Sequence, residues 1–250
     1  RKILNEKDIK NNKKNLEKDF KKFLSFESSN SALLIDNYDW LINLKYINFL
    51  REIGSKFSVN KMMSLESIKQ RLNREQNLSF LEFNYSLLQA YDFLELNRKN
   101  NCKIQFGGSD QWGNIVSGID LIRKITNEEV YGITTPLITT SSGKKMGKTE
   151  EGAIWLSEDK LDVNSFWQYW RNTSDDDVIN FLYLFTELES DEIDKLKKLK
   201  GEELNEAKIL LANEVTKLCH DEEKSKKAAY EAKSILSSNI FDIKTLKESD

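Results

Sequence analysis

The sequence predicts an α/β unit built on a parallel sheet, followed by an all-helical part. Three observations carry that expectation. Cys102 to Phe106 reads as a strand, runs into the pair Gly107-Gly108 and continues into a helical pattern of Trp112, Ile115, Ile119 and Ile122. Ala32-Leu33-Leu34-Ile35 is a short apolar run ending in Asp36-Asn37. It reads as a buried strand with polar groups at its carboxyl end, where open α/β sheets receive ligands. From Glu158 the periodicity is helical throughout.

Taken in order, Arg1 to Leu24 is an amphipathic helix with a basic outer face, its apolar series being Ile9, Leu16, Phe20 and Phe23. Tyr46 to Phe57 and Ser64 to Arg74 read as helices, the second with Ser64 as N-cap. Ser79 to Asn97 has no Gly or Pro and a serine at its head, the strongest helical signal in the chain. Pro136, the only proline, sits in an extended segment, Thr134 to Ile138. Thr139 to Gly152 reads as a mobile loop rich in Thr, Ser, Gly and Lys. Helices are expected at Ser165 to Trp170, Asp175 to Phe185, Asp191 to Leu199, Glu203 to His220 and Glu222 to Leu236. The expected organisation is residues 1–138 as the sheet-bearing domain, 139–160 as loop and linker, and 161–250 as the helical domain.

With 250 residues, 39% hydrophobic and 32% charged, the chain has a core of its own and a heavily solvated surface. No apolar run approaches the ~18 residues that span a bilayer and no signal-peptide core opens the chain, so a cytoplasmic location and no membrane partner are expected. Cys102, Cys219 and the lone His220 are too scattered for a metal site or a disulfide framework and read as structural. The net charge of −3 gives no global field toward nucleic acid. The chain opens with Arg1, which reads as a processed product or a piece of something longer.

Three constellations carry chemistry. At 100° per residue, Tyr85, Gln89 and Asp92 align within one apolar stripe of the Ser79 to Asn97 helix, where they are expected to face a cavity. Asp92 accepts from a phenol or hydroxyl and Gln89 with Tyr85 from an ammonium, which suits an amino acid; the plain alternative is that they brace neighbouring backbone. In the octet Gly107 to Asn114, glycines admit a ligand to the backbone, Asp110 can take ribose hydroxyls and the following helix end favours an anion. A tight strand-to-helix turn is the plain alternative. Finally, Lys145 and Lys148 with Thr149 could clamp a polyphosphate, although a lysine-rich loop is commonly just solvated.

Asn37-Tyr38-Asp39-Trp40, Phe57-Ser58-Val59-Asn60, Tyr85 to Leu94, the octet and Lys145-Met146-Gly147-Lys148-Thr149 together resemble the tyrosyl-tRNA synthetase family of class I aminoacyl-tRNA synthetases, in its bacterial and organellar form. The resemblance runs in order through the chain. It implies a Rossmann-like catalytic domain, of which this is the C-terminal part, and a helical domain that recognises the anticodon. It also implies activation of L-tyrosine by ATP, with Mg2+ accompanying the nucleotide and no tightly bound cofactor, then transfer to tRNA(Tyr). Tyr85 and Gln89 would hold the tyrosine ammonium with Asn37 close by, and Asp92 would accept from the phenol. Gln111 would place the carboxylate, Gly108 and Asp110 the ribose, and Ile138 would offer backbone to adenine. Lys145, Lys148 and Thr149 would stabilise the departing pyrophosphate. A phenylalanine in such a site would leave Asp92 unpaired, so discrimination needs no editing.

The resemblance also implies a homodimer through Phe57 to Met63, with exposed Met and Phe side chains, and phosphate contacts from Lys195, Lys197, Lys198, Lys200, Lys224, Lys226 and Lys227. The family's His-Ile-Gly-His-type motif, its first βα units and its RNA-binding tail domain have no counterpart here, and Gly147 stands where many relatives carry serine. The 250 residues alone are therefore expected to show little or no aminoacylation. The alternative reading is a catalytically inactive synthetase-like protein that binds tRNA or a protein partner. A tryptophan-specific relative is disfavoured by Tyr85, Gln89 and Asp92, and a dehydrogenase by the lack of a Gly-x-Gly-x-x-Gly fingerprint.

Overall fold

The structure, a computed structural model, describes residues 4–75, 77–143, 146 and 154–247. The chain divides into two compact units. One is Ile35–Ile138; the other joins the residues before 35 to those from Thr139 onward.

In the unit that opens the chain, α1 (Glu6–Phe20) is capped by Asn5, whose side chain accepts from the Asp8 N–H at 2.9 Å. The amphipathic pattern is present, yet α1 buries none of its residues, and Ile9, Leu16 and Phe20 are exposed. The expected strand at Ala32–Ile35 is absent: the segment is irregular, pairs with no strand, and leaves Leu33 69% exposed. An apolar run makes a strand only where a ladder partner takes its N–H and C=O groups, and among the described residues only two strands pair.

The Ile35–Ile138 unit begins with α2 (Tyr38–Leu41), α3 (Tyr46–Glu52), a 3-10 turn at Gly54–Lys56, α4 (Val59–Met63) and α5 (Glu66–Asn73). Ser64 closes α4 instead of capping α5, whose N-cap is Leu65. Next comes α6 (Phe80–Asn100), which starts where expected because Ser79 and Glu82 form a capping box. It ends at Asn101, which takes the left-handed conformation (φ 52°) that asparagine tolerates. Leu87, Ala90, Phe93 and Leu94 of α6 are fully enclosed and pack with Phe49, Ile53, Met62, Leu121, Ile122 and Val130. Burying a side chain the size of Phe93 or Leu94 is worth about 2–3 kcal/mol.

The strand-glycine-helix unit is present as β1 (Ile104–Gly108), a 3-10 turn, and α7 (Trp112–Thr126), followed by β2 (Tyr131–Thr135). The strands run parallel, with Ile104 opposite Tyr131 and Gly108 opposite Thr135. The face carrying Gly107 and Gly132 lies against α7 so closely that a Cβ on Gly132 would sit 2.4 Å from Ile115 Cγ2. On the other face Ile104, Phe106, Tyr131 and Ile133 are all exposed.

After Ile138 come α8 (Val163–Arg171), α9 (Asp175–Phe185), α10 (Ser190–Leu196), α11 (Leu204–Cys219) and α12 (Glu222–Lys247). Asp162 caps α8 through the Ser165 N–H at 3.0 Å. Phe166, Trp170 and Phe181 meet edge to face, and with Val178, Leu182, Ile193 and Leu211 they make a closed core. Trp167 donates its indole N–H to Asn213 Oδ1 at 2.8 Å. The lone histidine is a core member in part: the His220 ring stands edge-on to Phe166 at 4.9 Å. One compact unit ends at Ile138. Residues 4–34 differ, belonging with the helices because Lys22, just after α1, donates to the Leu156 carbonyl, which Cys219 Sγ also approaches at 3.6 Å.

Candidate active site

Three turns of α6 carry Tyr85, Gln89 and Asp92, and the short α2 turn delivers two further groups to the last of them. Asp36 fixes that turn by accepting from the Tyr38 N–H at 3.0 Å. Asn37 Nδ2 then donates to Asp92 Oδ2 at 3.0 Å, and Trp40 Nε1 donates to Asp92 Oδ1 at 2.8 Å. Each carboxylate oxygen has two lone pairs, so with one donor apiece Asp92 can still accept from a ligand hydroxyl. Burial pushes the Asp92 carboxyl above the usual range, while the Trp40 and Asn37 donors pull it back down.

Trp40 was not among the residues singled out from the sequence. Its indole is buried, Lys99 lies over its ring at 5.0 Å, and Glu95 holds Lys99 at 3.4 Å and Arg98 at 3.1 Å. The available signal was the Asn37-x-x-Trp40 spacing, which puts both side chains on one side of a single helical turn. Asn37, expected beside an ammonium, is committed to Asp92. The stripe is also more open than expected: Tyr85 is 61% exposed, Leu81 is exposed, and Gln89 and Asp92 are half-buried. Among the described residues the α2 turn is what bonds to it.

In the octet, Gly108 has an ordinary φ of −73°, so the turn itself does not demand glycine. Space is tight: a Cβ there would lie 2.8 Å from Asp110 Oδ1 and 3.2 Å from Leu137, so both side chains would have to shift. Asp110 stays exposed, and Gln111 is oriented by Asn114, whose Nδ2 donates to Gln111 Oε1 at 3.1 Å. Ile138 is exposed at the end of the segment that follows β2. Thus Asn37, Tyr85, Gln89, Asp92, Gly108, Asp110, Gln111 and Ile138 all lie in the sheet unit, but no hydrogen bond among the described residues joins the α6 set to the octet. Lys145, Lys148 and Thr149 lie outside the described residues.

One surface expectation needs correction. Met62 and Phe57 belong to the sheet unit's own core, leaving Val59 and Met63 as the exposed apolar side chains of that stretch. Of the lysines in the helical part, Lys197, Lys224, Lys226 and Lys227 are engaged by Asp194, Glu158, Glu222 and Glu231.

The family model described as tRNA synthetases class I (W and Y) matches residues 1–237. The chain belongs to that family. Among curated relatives it is 59% identical over 210 residues to the tyrosine–tRNA ligase of Novosphingobium aromaticivorans, covering 84% of this chain and 51% of that one. To the tyrosine–tRNA ligase of Ruegeria pomeroyi it is 54% identical over 237 residues, covering 94% and 57%. The C-terminally truncated mitochondrial tyrosyl-tRNA synthetase of Aspergillus nidulans superposes with a TM-score of 0.76 at 27% identity, over 94% of this chain and 70% of that one. The chain thus spans about half the length of the curated synthetases it matches, and its parallel strands with α7 are the class I, Rossmann-like element.

Proposed function

We propose that this chain is the tyrosine- and ribose-binding part of a tyrosine–tRNA ligase, which forms tyrosyl-adenylate from L-tyrosine and ATP and passes the tyrosyl group to tRNA(Tyr). The observation that carries this reading is Asp92, a half-buried carboxylate oriented by two donors with acceptor capacity to spare. In that reading Asp92 takes the phenol, Tyr85 and Gln89 the ammonium, and Gln111 the carboxylate. Gly108 and Asp110 seat the ribose, Ile138 offers backbone to adenine, and Lys145, Lys148 and Thr149 stabilise pyrophosphate as it leaves. Mg2+ would travel with the ATP phosphates. A homodimer, anticodon contacts from the helical part and a cytoplasmic location complete the reading.

Tyrosine-dependent pyrophosphate exchange by the full-length protein tests it. Asp92→Ala is expected to lower kcat/KM for tyrosine about 10²–10³-fold, because it strands a buried phenol and the donors of Asn37 and Trp40. Trp40→Phe keeps the packing and is expected to raise the tyrosine KM about tenfold. The ionised Asp92 is the acceptor and its pKa is raised, so tyrosine affinity falls with pH from above the usual carboxylate range. Losing the Trp40 donor moves that midpoint higher still. Equal exchange by wild type and Asp92→Ala would refute the assignment. The 250 residues alone are expected to exchange little; if the full-length protein is equally silent yet binds tRNA(Tyr), the inactive binding-protein reading replaces this one.

A further inference from the structure

The carboxylate of Asp177, in the first turn of α9, is buried and gathers donors from two parts of the chain. From its own helix it accepts the Ser174 hydroxyl at 2.7 Å, the ordinary business of a helix N-terminus. From 36 residues earlier it accepts both the Ser141 backbone N–H at 2.7 Å and the Ser141 hydroxyl at 3.1 Å. Capping α9 does not require the second pair. Ser141 lies only three residues before Lys144, and it is held by one charged group through main chain and side chain at once, the strong class of hydrogen bond. Farther along, Met146, which sits between Lys145 and Lys148, packs against the core that α8, α9 and α11 build.

We infer that Asp177 is a positioning residue for the lysine motif: it fastens Ser141, the stem from which Lys144 to Thr149 continue, to the N-terminus of α9. Ser141 and Met146, which flank Lys144 and Lys145 in sequence, both belong with the helical unit. A carboxylate suits this task better than a hydroxyl or amide, since it offers enough lone pairs to take a main-chain and two side-chain donors together. The functional half of the inference rests on the proposal that Lys145 and Lys148 act on the ATP phosphates; the anchoring half does not.

The two halves are tested separately on the full-length protein. Limited trypsinolysis, with fragments identified by mass, reads the anchor: Ser141→Ala and Asp177→Asn are each expected to speed cleavage within 144–148 about fivefold, with rates at other lysines unchanged. Ser141→Ala leaves the Ser174 to Asp177 bond in place, so it reports on the stem even if Asp177→Asn folds poorly. Asp162→Asn, which weakens the cap of α8, is expected to leave cleavage at 144–148 unaltered and controls for general loosening. Ser141→Ala keeps the main-chain bond to Asp177 and Asp177→Asn weakens both, so unchanged cleavage in the two variants together, or acceleration spread over all sites, overturns the anchor. In pyrophosphate exchange, Ser141→Ala is expected to lower kcat about tenfold with the tyrosine KM unmoved. Unaltered kcat alongside faster cleavage overturns the positioning role. A wild-type protein that exchanges nothing would overturn that role together with the proposed function, and trypsinolysis would still decide the anchor.

Discussion

The helical unit closes Phe166, Trp167, Trp170 and Phe181 into one aromatic core, whereas the sheet unit leaves Phe106 and Tyr131 of its two strands in the open. Phe166 of α8 is 0% exposed and stands within a ring of Trp170, His220 and the α11 aliphatics; Phe106 of β1 is 67% exposed. Both are phenylalanines in regular structure on strongly apolar faces. The difference comes from geometry: four helices can surround a point, but a two-stranded sheet has two faces and α7 covers one. Sheets are stable when both apolar faces find partners, so the face formed by Ile104, Phe106, Tyr131 and Ile133 marks where this unit is least complete.

The largest expected effect separates the two regions directly. Phe166→Ala should cost about 3–5 kcal/mol, because a fully enclosed ring is replaced by a cavity with rigid walls. Phe106→Ala should cost no more than about 0.5 kcal/mol, as its ring has little packing to lose. Chemical denaturation of the two variants checks both numbers. A Phe106→Ala loss near that of Phe166→Ala would mean that the open face is covered in solution.

This contrast also explains what could be read in the sequence. Helix positions come from local chemistry, and the serine at the head of Ser79 to Asn97 put the start of α6 on the page before any coordinate, while its reciprocal partner Glu82 emerged only in the structure. The helical domain followed from its periodicity. Ala32–Ile35 misled because an apolar run states that burial is wanted without stating what will pair with it. The candidate site was legible in kind, with Asp92 recognised as an acceptor, but not in its support. That Trp40 and Asn37 would turn their donors onto Asp92 is a contact across 55 residues or so, and one-dimensional patterns carry no such distance. Likewise, that a Cβ at Gly107 or Gly108 would meet Gln111, Ile115, Asp110 or Leu137 is a matter of packing that the octet does not spell out.

A second prediction sharpens the comparison inside the sheet unit, between its covered and open faces. Gly132→Ala places a methyl 2.4 Å from Ile115 Cγ2, and Ile115 is fully buried, so neither partner has space to yield. Overpacking of this kind should cost about 1–3 kcal/mol. The matching change on the open face, Ile133→Ala, should cost well under about 1 kcal/mol. Thermal melts of the pair decide the matter, and similar losses would contradict the view that α7 alone holds the sheet.

The smallest effect concerns the edge of α6, where the sheet unit depends on a surface pair instead of a core. Arg71 of α5 bonds Glu82 at 2.8 Å, and with the Ser79 donors it draws the Glu82 carboxyl down from an ordinary 4.5 to about 2. A folded-state pKa below the unfolded one means that the ionised carboxylate favours the fold. Its contribution is therefore complete above pH 4.5 and drains away as pH falls toward about 2. The pair lies at the surface, so solvent screens it and the effect on global stability is slight. Glu82→Gln isolates the charge, since the amide oxygen can still accept from the Ser79 N–H and preserve the capping box. Hydrogen exchange at the first-turn amides of α6 should quicken in the wild type between pH 4.5 and 2, beyond the intrinsic pH trend, and show no such window in Glu82→Gln. Parallel curves for the two proteins would show that α6 is fixed at this end by its core contacts alone, which would bring this margin of the sheet unit closer in character to the enclosed helices.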